Sequence, residues 1–336
     1  RKRRARSPGA QSRGVSVAAA PTLFQLPQRR PMATSSSSRP LRGTRIVSLA
    51  LNLPGPAALM RLRALGASCL KIEPPATGTL ASGKPAPGDA MAWHSLPAYE
   101  QMHAGIPTRM LDLKSERGRT RLQAELARAE VLLTSFRPSA LDRLGLSWRA
   151  QQRAHPRLSL IEIVGAPGER VEEPGHDLTY LAESGLVVGT ELPPTLLADM
   201  AGALLAVEAT LPALLQTRTS GRGAHHQIAL SEAAIWLALP RSWGLTTPDG
   251  VVGGAYAGYR VYPCKDGRVA LAALEPHFFA RLARLVGLPE PDARTPFTPE
   301  ARTAIAAWAA GKTRRQLDAL ATRHDIPLYT LRLEKP

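Results

Sequence analysis

The chain has 336 residues, room for one large domain or two moderate ones, and its hydrophobic fraction of 44% is that of a packed globular enzyme with no apolar run of the roughly 18 residues that a bilayer span needs. Cys69 and Cys264 are its only two thiols and form no C-x-x-C, so neither a disulfide scaffold nor a zinc site is supported, and a reducing cytoplasmic compartment is the default expectation. Of the net charge of +16, half comes from eight Arg and Lys in the first 31 residues; the remaining excess fits anionic small molecules as well as polynucleotides, and without a finger, a helix-turn-helix or an aromatic RNA-binding sheet no nucleic-acid or membrane partner is expected.

Residues 1–40 read as a basic, Ser-rich leader, expected to be disordered. Met32-Ala33-Thr34 followed by four serines looks like a natural start, with residues 1–31 upstream of it. The pattern changes at Leu41. Arg45–Leu49 reads as a buried strand, Leu53–Pro56 as a turn, Ala57–Leu65 as a helix stopped by Gly66, and Ser68–Glu73 as a second strand. Strand, helix and strand within about thirty residues form a parallel βαβ unit. Its first turn lacks the G-x-G-x-x-G fingerprint, so no nicotinamide or flavin cofactor is indicated.

Residues 74–108 are rich in Pro, Gly and Ala and read as a long irregular connection. A strand is expected over Met110–Lys114, a helix from Glu116 to about Ala129, a strand over Val131–Ser135, a helix over Ala140–Leu144 and a strand over Leu158–Val164. Leu196–Gln216 has the period of a buried helix with Asp199 near its start. The turn Thr219–Gly223 leads into a strand at Gln227–Leu230 and a helix from Ser231. The texture then changes to a hairpin, Tyr259–Pro263 and Arg268–Ala272 with an Asp-Gly turn, followed by helices over His277–Val286 and Glu300–Thr322. The expected fold is α/β: a Rossmann-like parallel-sheet domain over residues 41–225 and a smaller α+β domain over 226–336.

Glu173-Pro174-Gly175-His176-Asp177 is the stretch with chemistry in it. A Pro-Gly turn delivers adjacent His and Asp side chains where an apolar helical run begins. There the free N–H groups and the helix dipole favour negative charge. A carboxylate there can act as a nucleophile, and an imidazole can carry a proton near neutral pH. A plain helix cap at Asp177 is the alternative on these residues alone. Asp199, in an apolar helix, is unusual unless paired or used.

Taken together these segments resemble the class III CoA-transferase family, which includes the α-methylacyl-CoA racemases. The motifs are Gly43–Val47 with Gly55-Pro56 and Lys71-Ile72-Glu73, Leu111–Lys114, Phe136-Arg137-Pro138 with Leu141–Leu146, Pro156–Leu158, Gly175-His176-Asp177, Ala198–Gly202 and Arg218–Gly223, in order over residues 41–330. The resemblance implies binding of a coenzyme A thioester, two interlocked chains, and no metal or redox cofactor. Candidate contacts to CoA are Gly55, Pro56, Lys71, Arg109, Arg137 and Arg222. Asp177 matches the transferase nucleophile that forms an aspartyl-CoA. His176 matches the racemase histidine, Asp199 its partner acid, and Glu275 the glutamate that supports the histidine. His rather than an aromatic residue before Asp177 favours α-proton transfer on a 2-methylacyl-CoA or similar thioester. CoA transfer between carboxylic acids and a catalytically silent acyl-CoA binder are the alternatives. Two departures stand out: Ala104 and Ile106 replace a basic pair that meets CoA phosphate, and the segment after Asp325 that turns back into the large domain is short or missing.

Overall fold

The structure, a computed structural model, describes residues 39–76, 78–79, 83 and 86–333; all but the last two positions of the leader expected over 1–40 lie outside them. In chain order the large sheet and its helices are β1 (Arg45–Ser48), α1 (Pro54–Ala64), β2 (Ser68–Glu73), α2 (Met91–His94), α3 (Leu96–Met102), β3 (Thr108–Met110), α4 (Glu116–Leu126), β4 (Val131–Thr134), α5 (Pro138–Arg143), α6 (Trp148–Ala154), β5 (Ser159–Val164), α7 (Asp177–Glu183), α8 (Leu197–Ser220), β6 (His225–Ala229) and α9 (Leu230–Ser242). The six strands are parallel in the order β3-β2-β1-β4-β5-β6. β4 and β5 are buried along their whole length, as continuous Val, Leu and Ile runs are when helices cover both faces. One core cluster joins Ile46, Val131 and Ile161 to α1 and α8; the other joins Val47, Leu132 and Leu160 to α4 and α5.

The chain winds outward from β1 through β2 to β3, then returns to the other side of β1 as β4, β5 and β6. Between the carboxyl ends of β1 and β4 lies a topological switch point, where connections leave in opposite directions and open a crevice. The connections there are Leu49–Leu53, Ser135–Arg137 and Gly165–His176.

The second layer is an antiparallel sheet of β7 (Tyr259–Cys264), β8 (Gly267–Ala272) and β9 (Leu328–Arg332), with α10 (Pro276–Val286), α11 (Pro299–Ala310) and α12 (Arg314–His324) between β8 and β9. Phe279, Leu282, Ile305 and Leu317 pack with Tyr262, Val269 and Leu271 to form its core.

Several elements differ from the sequence reading. The stretch read as a turn at Leu53–Pro56 already begins α1, because Pro is tolerated at the first helical positions, where its missing N–H is not needed. β3 lies two residues earlier than expected; Asp112 instead folds Lys114 and Ser115 into a turn that leads to the Ser115 cap of α4. The irregular stretch 74–108 contains α2 and α3, and β6 and α9 belong to the large sheet layer, so the architecture changes after Ser242 and not at 225. The expected helix 300–322 is two helices: Gly311 ends α11, and Thr313 with Gln316 forms the capping box of α12. The hairpin turns at Lys265-Asp266, with Gly267 already in β8, where a Cβ would stand 2.1 Å from Leu331 O. The segment after Asp325 forms β9, the third strand of the small sheet. α8 is, contrary to the sequence reading, long and apolar enough by length and composition to cross a membrane; half of it is buried, packed on α1, α9 and β5.

Candidate active site

A cavity of about 160 Å³, the volume of roughly five waters, lies in the crevice at the switch point. Leu51, Asn52 and Pro54 line it from the end of β1, Ser135, Phe136 and Arg137 from the end of β4, and Ile163, Val164 and Gly165 from β5. His176, Tyr180 and Asp199 line it from α7 and α8. Its walls are fixed by local bonds: Leu51 N–H donates to Ser135 Oγ (3.1 Å), and Asn52, held at φ 64°, donates its N–H to Asp89 Oδ1 (3.0 Å).

His176 is the residue before the first turn of α7, in extended backbone, with an exposed side chain. Thr179 closes that turn: its Oγ1 accepts from His176 N–H (3.1 Å) and donates to His176 O (2.7 Å). The imidazole therefore projects from a pinned backbone. Asp177 turns the other way. It is 5% exposed, is not among the cavity-lining residues, and its Oδ1 accepts the backbone N–H of Asp199 at 2.9 Å. Asp177 thus caps α8, a helix it does not belong to, where a free N–H and the helix dipole favour a carboxylate.

Asp199 stands in the first turn of α8 and lines the cavity. Burial and then the Asp177 carboxylate push its carboxyl up to about 6, against the opposing pull of His176. A carboxyl poised there exchanges protons near neutral pH, as a general acid or base must. Tyr180, one helical turn after His176, reads in the sequence as one more residue of an apolar run; its ring is buried and it faces the same cavity. The signal for it in the sequence is its spacing from His176, together with glycines at 165 and 175.

Of the residues expected to act, the structure brings His176, Asp199 and Arg137 to one cavity, with Asp177 directly beneath. It does not bring Glu275 there: that side chain is exposed at the start of α10, in the small unit, near Tyr256. Gly55 and Pro56 are buried in α1, where a Cβ on Gly55 would lie 2.1 Å from Ala50 Cβ, so the glycine permits close packing. Arg109 sits on the edge strand β3 with its guanidinium against Glu125 (2.6 Å), which also pairs with Arg45 and Arg128. Arg222 is exposed in the turn after α8.

Lys71 corrects the expectation of a cofactor contact. Its side chain is wholly buried, its ammonium paired with Asp89 and, at 3.4 Å, with Glu73. Tyr99 donates to Glu73 Oε1 (2.9 Å), and Gly88 N–H donates to Glu73 Oε2 (3.0 Å). Glu73, Asp89 and His103 bring ligand atoms within 4.8 Å of one another, a spacing that could hold a metal ion. The ammonium of Lys71 already supplies a cation to both carboxylates, and the set fits a structural cluster better than a metal centre.

Comparison with known proteins agrees with this geometry. The chain matches CoA-transferase family III over residues 41–333. It is 29% identical over 204 residues to the cinnamoyl-CoA:phenyllactate CoA-transferase of Clostridium sporogenes, covering 58% of this chain and 50% of that protein. It is 31% identical over 269 residues to the alpha-methylacyl-CoA racemase of Mus musculus, covering 74% and 65%. The chain thus spans between half and about two thirds of the length of these relatives. Its fold is like that of a CAIB/BAIF family protein from Brucella suis, with a TM-score of 0.67, 24% identity and coverage of 86% and 83%. A family match over nearly all the described residues, on a parallel sheet whose switch-point cavity is lined by Gly175 and His176, makes this chain a member of CoA-transferase family III.

Proposed function

We propose that the protein moves the α-proton of an acyl-CoA thioester, of the 2-methyl-branched kind or similar, using His176 and Asp199 on either side of the α-carbon. One group removes the proton while the C–H pair moves into the new C=C bond and the carbonyl pair moves onto oxygen. The other group returns a proton to the carbon as the carbonyl re-forms. The step is redox-neutral and needs no co-reactant. The observation that carries this reading is the shared cavity: the imidazole and a carboxyl raised to about 6 both line it. Arg137, in the cavity wall, is proposed to meet the negative charge of CoA.

A second reading, CoA transfer through an aspartyl-CoA at Asp177, is favoured by the likeness to the clostridial transferase. It requires Asp177 to give up its hydrogen bond to Asp199 N–H and reach the thioester. We further propose that the protein works as a homodimer, with the exposed apolar side chains of α8 and α9 covered by a second copy. Glu275, outside the cavity lining, would then act only from a partner.

The test is incubation with 2-methylbutanoyl-CoA in heavy water, with deuterium at the α-carbon read by mass spectrometry. Uptake by the native protein that is lost in His176→Ala and Asp199→Ala is the expected result. No uptake by the native protein would overturn the reading and turn attention to hydroxylamine trapping at Asp177.

A further inference from the structure

Tyr180 occupies a place prepared for it. The residue is only 7% exposed, and its hydroxyl lies between two glycines. A Cβ on Gly165 would stand 2.4 Å from the hydroxyl oxygen, and one on Gly175 would stand 2.5 Å from it. Both glycines line the cavity with His176 and Asp199, so the phenol stands against the end of β5 and the turn that carries the histidine. No protein group among the described residues hydrogen-bonds the hydroxyl. The ring is buried while the residue lines the cavity, so a hydroxyl that no protein group holds is left open to an acceptor on a ligand bound there.

The protonation state suits a donor. Burial, and then the charge of Asp199, push the Tyr180 phenol above its ordinary value, with Arg137 opposing, so it stays protonated at neutral pH. A phenol that keeps its proton while facing a polarised oxygen can stabilise charge developing there.

We propose that the Tyr180 hydroxyl donates a hydrogen bond to the thioester carbonyl oxygen of the bound acyl-CoA, making Tyr180 a catalytic residue for enolate formation. The proposal deepens the α-proton reading and rests on it. As the α-proton leaves to His176 or Asp199, the carbonyl π pair moves onto oxygen and the hydrogen bond from Tyr180 strengthens. Tyr180 keeps its proton throughout. When the proton returns to carbon, the oxygen pair re-forms the carbonyl and the bond weakens.

Tyr180→Phe keeps the ring that fills the space between the glycines and removes only the oxygen. In the full chain, two measurements are made on 2-methylbutanoyl-CoA labelled with carbon-13 at its carbonyl. The first is the rate of α-deuterium uptake; kcat is expected to fall about 10²-fold with KM nearly unchanged. The second is the infrared stretch of the bound carbonyl, which is expected at lower frequency in the native protein than in water, with the downshift lost in Tyr180→Phe. The infrared reading needs binding but no turnover, so it decides the role of Tyr180 even if the native protein takes up no deuterium and the α-proton reading fails. A native carbonyl stretch unchanged by Tyr180→Phe overturns the proposal, as does a kcat equal to the native value in a native protein that does exchange deuterium.

Discussion

Asp177 and Asp199 are two acidic residues tied by one hydrogen bond, and their surroundings give them different work. Asp177 is inside, its oxygen accepting from the amide at the start of α8; Asp199 faces the cavity, and its burial, then the charge of Asp177, raise its pKa to about 6. As the base, Asp199 must be ionised, so the rate of α-proton removal should rise between about pH 5 and 7 with a midpoint near 6. A rate profile flat across that range would contradict the assignment. The same shift acts on stability with the opposite sign. A carboxyl whose pKa is higher folded than unfolded binds its proton more tightly in the native state, so its contribution falls as pH rises from about 4 to 6. Asp199→Asn should therefore stabilise the fold at pH 8, by up to about 3 kcal/mol from a shift of roughly two units, and leave it nearly unchanged at pH 4. Thermal melts of the two proteins at both pH values would check this; equal melting temperatures at pH 8 would count against it.

Among the helices and strands, the site depends on where α1, α7 and α8 begin. Each start is partly legible in the sequence. Leu196–Gln216 shows its helical period, and a Pro-Gly turn before a leucine-rich run marks α7. What periodicity does not carry is the partner of each charged group. Asp177 reads as a cap for its own helix but caps another, since that requires knowing that α8 starts beside it. Lys71 and Arg109 read as CoA contacts, and Glu275 as the support of His176, because a charge in a motif says nothing about its partner in space; the first two are held by Asp89 and Glu125, and the third belongs to the small unit. Tyr180 hides in the sequence because an aromatic residue at helical spacing usually means core. α2 and α3 are hidden in a stretch dense with Pro and Gly, and β9 follows an Ile-Pro pair that reads as a break. The Lys71 cluster ties β2 to the segment carrying Asp89, which in turn fixes the Asn52 wall of the cavity. Lys71→Ala leaves two buried carboxylates without their cation and should cost about 3–5 kcal/mol, measurable by urea unfolding. A loss below about 1 kcal/mol, no more than an exposed ion pair contributes, would show that Lys71 does not hold this wall.

Across the whole chain, the alternation of strand and helix sets the expected architecture, and the strand order puts the cavity where open α/β sheets bind ligands. The small antiparallel unit adds a separate core. On α9, Ile235 and Trp236 stand out of the fold, the latter 66% exposed, and Leu204 and Leu215 do so on α8. An apolar face of that kind on a family III chain is expected to be shared by two copies. Sedimentation should give twice the monomer mass, and Trp236→Glu should shift the protein to monomer; a native protein that is monomeric at micromolar concentration would contradict this. Everything proposed for the site turns on one division of labour, proton transfer at His176 and Asp199 against helix capping at Asp177. Washout of deuterium from α-deuterated 2-methylbutanoyl-CoA in ordinary water, compared in Asp177→Asn and Asp199→Asn, separates the two roles. Asparagine at 177 keeps an oxygen for the α8 amide but cannot attack a thioester. Asp177→Asn is expected to wash out within about tenfold of the native rate, while Asp199→Asn should fall by about 10²–10⁴-fold. The reverse ranking would contradict that division and make Asp177, and not Asp199, the carboxylate that exchanges the α-proton.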